Sequence, residues 1–328
     1  MTLRRSPLLL LPVAALLTAC GTTGGGTGAG AGDEPGSDGL QVIASFYPVE
    51  YLLTEIAGEH AEVSTLTGPG ADPHEVELTP RAVGSLGSAD LVVYAEGMQP
   101  AVDAAVRQQA PDHSLDVTVA ADLMATGGGS EEHDEHAHED EGHDEDDTHA
   151  GHDHGPEDPH FWLDPIRYGQ VAEAIAEELA DLDPDHADDY RERAAGLVEE
   201  LTDLDQAFTE GLASCESRDV VTTHEAFGYL ADRYDLHQHG ITGINPEAEP
   251  SPARLAEISA QIRRNETTTV FAEPILTDAI ARTVAQETGA EVLILDPVEG
   301  ITEDSAGEDY LSVMRANLEA LREGLGCS

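Results

Sequence analysis

Between residues 40 and 119, short β-branched runs alternate with segments whose apolar residues recur at helical spacing. The runs at Gln41 to Phe46, Val63 to Leu66, Asp90 to Tyr94 and Asp116 to Val119 predict strands. Helices are predicted between them at Val49 to Ala57, Thr79 to Gly87 and Gln99 to Gln109, a succession of βα units over a parallel sheet. A second series repeats the rule, with strands at Asp219 to Thr223, Thr268 to Ala272 and Glu291 to Leu295. Its helices are predicted at Glu225 to Tyr234, Pro252 to Arg263, Leu276 to Thr288 and Glu308 to Leu325. Between the two series, Asp183 can cap a helix opened by Pro184. Apolar positions then recur through Tyr190, Ala194, Leu197, Leu201, Leu204, Phe208 and Leu212. A helix from Pro184 to Ala213 would run about 45 Å, long and stiff enough to bridge two lobes along one side. The expectation is therefore an α/β protein: an N-terminal lobe over 40–182, a linker helix over 183–213 and a C-terminal lobe over 214–328.

Composition adds a charge that the pattern does not explain. The 328 residues carry 66 Asp and Glu against 15 basic residues, all arginine, for a formal net charge of −51. So acidic a surface repels phosphate backbones and anionic head groups, which argues against nucleic acid as a partner and leaves cations as the natural ones. Residues 131 to 158 hold 14 of the acidic groups and no arginine; the acidic remainder keeps a protein soluble and carries no assigned chemistry.

The first twenty residues fix the expected compartment. Arg4 and Arg5 precede an apolar stretch from Pro7 to Ala19, too short to span a bilayer, which ends in Leu17-Thr18-Ala19-Cys20. This resembles a bacterial lipobox, with 1–20 as a signal peptide and Cys20 as the lipidated N-terminus of the mature chain. Gly21 to Gly39, rich in Gly, Thr and Ser, then reads as a flexible tether with a root-mean-square reach of roughly 25 Å. The expected location is extracytoplasmic, anchored to the outer face of the cell membrane. With Cys20 lipidated, Cys215 and Cys327 remain as an even pair in an oxidising compartment, where a disulfide is the expected use.

Three histidines stand at strand-to-helix junctions. His74 lies in Gly68-Pro69-Gly70-Ala71-Asp72-Pro73-His74, ahead of a helix start at Thr79-Pro80. His160 lies in a second Asp-Pro-His turn, Asp158-Pro159-His160, followed by an apolar strand, Phe161-Trp162-Leu163, and a helix start at Asp164-Pro165. His224 follows the strand Val221-Thr222-Thr223. Any one of these could be a surface, packing or capping residue. Three together, at the strand ends where α/β proteins bind ligands, read as a metal site: imidazole suits zinc, and three neutral imidazoles leave a tetrahedral shell one donor short. Asp296, at the end of the strand Leu293-Ile294-Leu295, is the preferred fourth ligand. Glu273, at another strand end, competes for that place and is read as an acceptor for an imidazole N–H or as a helix cap.

These motifs, in this order, resemble the substrate-binding lipoproteins of bacterial zinc and manganese ABC transporters. The likeness runs through Ser45-Phe46-Tyr47-Pro48, the loop from Gly68 to Pro80, Ala89 to Tyr94, Asp158 to Pro165, His224 to Tyr229, Pro246 to Ser251 and Asp296-Pro297; the chain departs at Ala95-Glu96, where the family often has Asn-Gly. The resemblance implies two α/β lobes, each with a parallel sheet flanked by helices, joined by one long rigid helix with the metal in the interlobe cleft. It implies His74 and His160 as ligands from the first lobe, and His224 and Asp296 from the second. Manganese members usually have Glu where this chain has His224, so zinc is the expected cargo. The implied role is that of a monomeric, non-enzymatic protein delivering Zn2+ to an ABC permease. A manganese-binding homologue, a metal-dependent adhesin and a zinc hydrolase are the alternatives.

The segment 127–157 fits that role. His133, His136, His138, His143, His149, His152 and His154 stand among acidic residues without larger apolar partners, the composition of a disordered loop that collects metal ions rather than packing a core.

Overall fold

In the computed structural model, residues 39–125, 157–246, 248–275 and 278–328 are described. The predicted signal, Cys20, the tether as far as residue 38 and the seven histidines from His133 to His154 lie outside them. The first lobe is built from β1 (Leu40–Ala44), α1 (Tyr47–Ala57), β2 (Ala61–Thr65), α2 (Pro80–Leu86), β3 (Leu91–Tyr94), α3 (Pro100–Gln109), β4 (Ser114–Asp116) and α4 (Thr118–Ala121). Two helices follow, α5 (Pro165–Leu182) and α6 (Ala187–Gly211), with a 3-10 turn at Pro184–His186 between them. The second lobe contains β5 (Asp219–Thr222), α7 (Gly228–Arg233), β6 (His237–Gly240), α8 (Pro252–Arg264), β7 (Thr269–Ala272), α9 (Ala279–Thr288), β8 (Glu291–Ile294) and α10 (Tyr310–Gly324).

The two sheets share one topology. The first runs β2-β1-β3-β4 and the second β6-β5-β7-β8, each with parallel pairing throughout. A parallel strand covered by helices on both faces must be apolar on both. In β1, Val42 and Ala44 face the α1 and α5 side while Ile43 faces the α2 and α3 side. In the second sheet, Val221, Val270 and Ala272 face α8 and α9, whereas Val220 and Phe271 join the larger core. That core continues from one lobe to the other. Tyr310 of α10 packs on Tyr168 of α5 with ring centroids 4.4 Å apart and on Tyr51 of α1 at 5.6 Å, and Trp162 donates from Nε1 to the carbonyl of Pro297 at 2.7 Å.

Helix starts follow local chemistry. Thr79, Asp164 and Ser251 each accept a backbone N–H from the first turn of α2, α5 and α8, and each is followed by proline at the first helical position. Asp309 and Ser312 form a reciprocal capping box at α10. Cys215 and Cys327 form the expected disulfide, tying the beginning of the second lobe to its end.

Several expectations change in detail, among them the apolar strand expected at Phe161 to Leu163, which is a 3-10 turn. The long helix begins as a 3-10 turn and becomes α-helical at Ala187. It has a companion, α5, of which the sequence pattern marked only the start. The run expected as a strand to Val119 ends at Asp116 and turns into α4. The helix expected from Glu225 starts at Gly228, and the strand β6 was not expected at all: His-Gln-His-Gly has no β-branched residue, and its place at the sheet edge demands none.

Candidate metal centre

The C-terminal ends of the two sheets face a common point, and four side chains meet there. His74 stands in the loop between β2 and α2, His160 in the turn before α5, His224 after β5 and Glu299 beyond β8. Their donor atoms all lie within 4.8 Å of one another.

Both Asp-Pro-His turns work in the same way. The Asp72 carboxylate accepts the backbone N–H of His74 at 2.8 Å, and the Asp158 carboxylate accepts that of His160 at 3.0 Å; each is an Asx turn that fixes the histidine two residues on. Gln99, itself buried, secures the first loop by donating to Thr67 Oγ1 and to the carbonyl of Pro73. In the second turn the same Asp158 oxygen also lies 2.7 Å from His160 Nδ1. This contact fixes the ring with Nδ1 toward Asp158 and Nε2 toward the cleft. His224 is held over a longer sequence distance. Its backbone N–H donates to Glu273 Oε1 at 3.1 Å, and its Nδ1 stands 2.7 Å from Glu273 Oε2, an ion-pair contact without hydrogen-bond alignment. Glu273 thus stands behind His224, at the imidazole edge away from the centre.

The fourth position differs from the sequence expectation. The carboxylate that meets the three imidazoles is Glu299, and Asp296 is not among the converging groups. One oxygen, Glu299 Oε1, lies 3.3 Å from His74 Nε2, 3.2 Å from His160 Nε2 and 3.5 Å from His224 Nε2. Asp296 instead builds the turn that delivers it. Its carboxylate accepts the N–H of Val298 at 2.8 Å, while its backbone N–H and carbonyl are both held by the Asn317 side chain. Val298 adopts φ 58°, a left-handed conformation that costs a β-branched residue on the order of 1–3 kcal/mol. The strand-end rule stopped at the first carboxylate, whereas the chain runs three residues further and turns back into the cleft. The run Asp-Pro-Val-Glu-Gly, with its second acid set in a turn, was the available signal.

Charge in the centre is balanced among buried groups. Burial pulls the His160 imidazole down, but Asp158 and Glu299 outweigh it and raise its pKa above the usual value. Against the same opposing burial, Glu273 and Glu299 push His224 up to about 10. Burial works to raise Glu299 too, yet the hydrogen bonds of His160, His224 and His74 hold it well below the ordinary carboxylate range. Asp296 moves the other way, raised by burial to about 6 despite the N–H it accepts from Val298.

The segment holding the seven histidines leaves and rejoins the fold beside this centre. Ala125 and Glu157 bridge its two ends, and the Asp158 N–H donates to the Met124 carbonyl at 2.9 Å. Tyr229, from the other lobe, donates its hydroxyl to the Asp158 carbonyl and accepts the Met124 N–H, both at 2.7 Å. Among the described residues, no helix is long and apolar enough to cross a membrane.

Two parallel-sheet lobes of like topology, spanned by a long helix and closing on a buried three-histidine, one-carboxylate cluster, define a two-lobed solute-binding protein. The chain belongs to the family described as zinc-uptake complex component A, periplasmic, which it matches over residues 42–324. It is 36% identical over 287 residues to the zinc-binding lipoprotein AdcA of Streptococcus pneumoniae strain R6, covering 87% of this chain and 55% of that protein. It therefore spans about half the length of that relative. The high-affinity zinc uptake system protein ZnuA of Bacillus subtilis is 31% identical over 313 residues, 94% of both chains. Among solved structures, the laminin-binding adhesin Lmb of Streptococcus agalactiae superposes with a TM-score of 0.74 at 32% identity, over 88% of this chain and 100% of that one. The Zn(II)-bound ZnuA-like domain of Streptococcus pneumoniae AdcA gives 0.70 at 33% identity, over 88% and 99%.

Proposed function

We propose that this chain captures Zn2+ in its interlobe cleft, with His74, His160, His224 and Glu299 as ligands, and delivers the ion to an ABC import permease. Family membership supports the class of cargo, and one observation carries the ligand set. Donors about 2.0–2.1 Å from a tetrahedral zinc are about 3.3–3.4 Å from one another; the three separations from Glu299 Oε1, 3.2, 3.3 and 3.5 Å, are the edges of such a shell. Three imidazoles and one carboxylate favour zinc over manganese, which prefers more oxygen donors. The same set fills all four positions, so the open position and adjacent base that a zinc hydrolase needs are not provided. Asp158 and Glu273 are the groups that orient His160 and His224.

In this reading Cys20 anchors the mature monomer to the membrane, and the histidines from His133 to His154 collect zinc weakly for the cleft. Competitive zinc titration of the mature chain tests the centre: alanine at His74, His160, His224 or Glu299 is expected to abolish the tight site, whereas Asp296→Asn keeps it. Undiminished affinity in Glu299→Ala, or its loss in Asp296→Asn, would overturn the assignment. Deleting Glu131 to His154 is expected to remove the weak zinc equivalents and leave the tight one.

A further inference from the structure

Far from the cleft, at the opposite end of the second sheet, two histidines and an aspartate share one face. His237 and His239 stand two apart on β6, the edge strand, so both project to the same side, and Gln238 between them projects to the other, where it donates to Thr222 and to the His224 carbonyl. Asp219 is the register partner of His237 on β5. Neighbouring strands lie about 4.8 Å apart, so the side chains of such a register pair meet. One carboxylate oxygen, Asp219 Oδ1, accordingly lies 2.8 Å from His239 Nε2 and 3.8 Å from His237 Nδ1.

The geometry points to a second divalent-metal site, formed by His237, His239 and Asp219, that takes zinc independently of the cleft. The two separations bracket the about 3.3 Å edge expected between donors of a tetrahedral zinc shell. His237 has a side chain 65% exposed, so its ring turns freely to close the wider gap. His239 is half-buried, and Gln261 Nε2 of α8 lies 2.9 Å from its Nδ1 and 3.2 Å from its Nε2. Asp219 and Gln261 thus hold the His239 ring with Nε2 toward Asp219, the carboxylate that also faces His237. Two imidazoles and one carboxylate leave the fourth position to water, so this site binds more weakly than the four-donor cleft. Asp219 opens β5 and His224 follows its far end, about 16 Å along the strand, while His239, in register with Val221, stands about 10 Å short of His224. The cleft and this edge therefore load separately.

Equilibrium dialysis of the full chain against buffered Zn2+, with metal counted by mass spectrometry, tests the site. His237→Ala and Asp219→Asn are each expected to lower bound zinc by one ion per chain at free zinc concentrations that fill the weak sites. The tight ion is retained, and the zinc-free melting temperature of His237→Ala matches that of the parent. Crystals grown with zinc are expected to give an anomalous peak between His237 and His239. An unchanged zinc count in His237→Ala, or crystals whose cleft is loaded while this face gives no peak, would overturn the proposal and leave the three residues as a hydrogen-bonded edge only. Because His237 is remote from the cleft, its count difference stands whether or not the cleft assignment does.

Discussion

The two lobes supply the centre by different means. His74 and His160, from the first lobe, are each held by an aspartate two residues earlier in an identical Asp-Pro-His turn. His224 and Glu299, from the second, are held by residues distant in sequence: Glu273 stands 49 positions after His224, Asn317 grips Asp296 from 21 positions away, and Trp162 reaches Pro297 across 135. Ligands held by local turns tolerate changes elsewhere in their lobe. Ligands held by remote partners depend on the whole lobe being folded, and the disulfide that joins the two ends of the second lobe supports that dependence.

The largest effect should come from breaking that covalent tie. Cys215 and Cys327 enclose 112 positions of chain, and closing a loop of that size in the unfolded state is worth about 5 kcal/mol. Replacing both cysteines by serine should lower the stability of the zinc-free protein by about 2–4 kcal/mol, measured by chemical denaturation. The loss should localise to the second lobe: hydrogen exchange is expected to speed up in β5 and α10 before β1 and α1. Uniform acceleration in both lobes would show that they are not held separately.

Next in size is the contrast between the two acids after β8. Glu299→Ala removes a donor and should weaken zinc binding by more than about 100-fold, exceeding what loss of an outer partner produces. Asp296→Asn keeps the shape of the turn and should cost much less. Equal losses from the two would mean that zinc draws Asp296 into its shell.

A smaller effect separates the lobes again. Asp158→Asn and Glu273→Gln each remove the charge behind one imidazole, and outer partners of metal ligands are worth about 10–100-fold in affinity. Both acids also accept their histidine's backbone N–H, a role asparagine and glutamine retain; Asp158 shares a tight turn with His160, so the first-lobe change is expected to fall at the lower end of that range. Glu273 orients His224 from another strand, and its replacement is expected to fall at the upper end. Titration of the two variants side by side decides; the reverse order would mean that local turns give no advantage.

The same difference explains what the sequence made legible. The parallel sheets, the capped helices and the three histidines were readable because each rests on a short pattern: β-branched runs, Thr79-Pro80, Asp164-Pro165, two Asp-Pro-His turns. Glu299 was not, because its position depends on a left-handed Val298 and on contacts from Asn317 and Trp162 that no nearby residue announces. The strand β6 was missed for a related reason: an edge strand buries little, so His237 to Gly240 has no apolar alternation to read. The companion helix α5 was half visible, its cap being local and its buried stripe, from Tyr168 through Ile175 to Leu179, serving a partner helix rather than a sheet.

The effect of pH is graded rather than all-or-none, and its sign differs between the two states of the protein. In the zinc-free chain His224 is raised from 6.5 to about 10 by Glu273 and Glu299 acting against burial. A raised imidazole contributes stability that is fully present below pH 6.5 and is lost as pH climbs toward 10. The zinc-free protein should therefore lose stability across that interval. Zinc needs the unprotonated Nε2, so each proton displaced on binding makes affinity rise about tenfold per pH unit. Zinc stabilises in proportion to the logarithm of its saturation, so the gap in melting temperature between zinc-loaded and chelator-treated protein should widen steadily from pH 6 to pH 9. A gap independent of pH would mean that His224 enters the site already neutral, and that Glu273 does not hold a proton on it in the empty cleft.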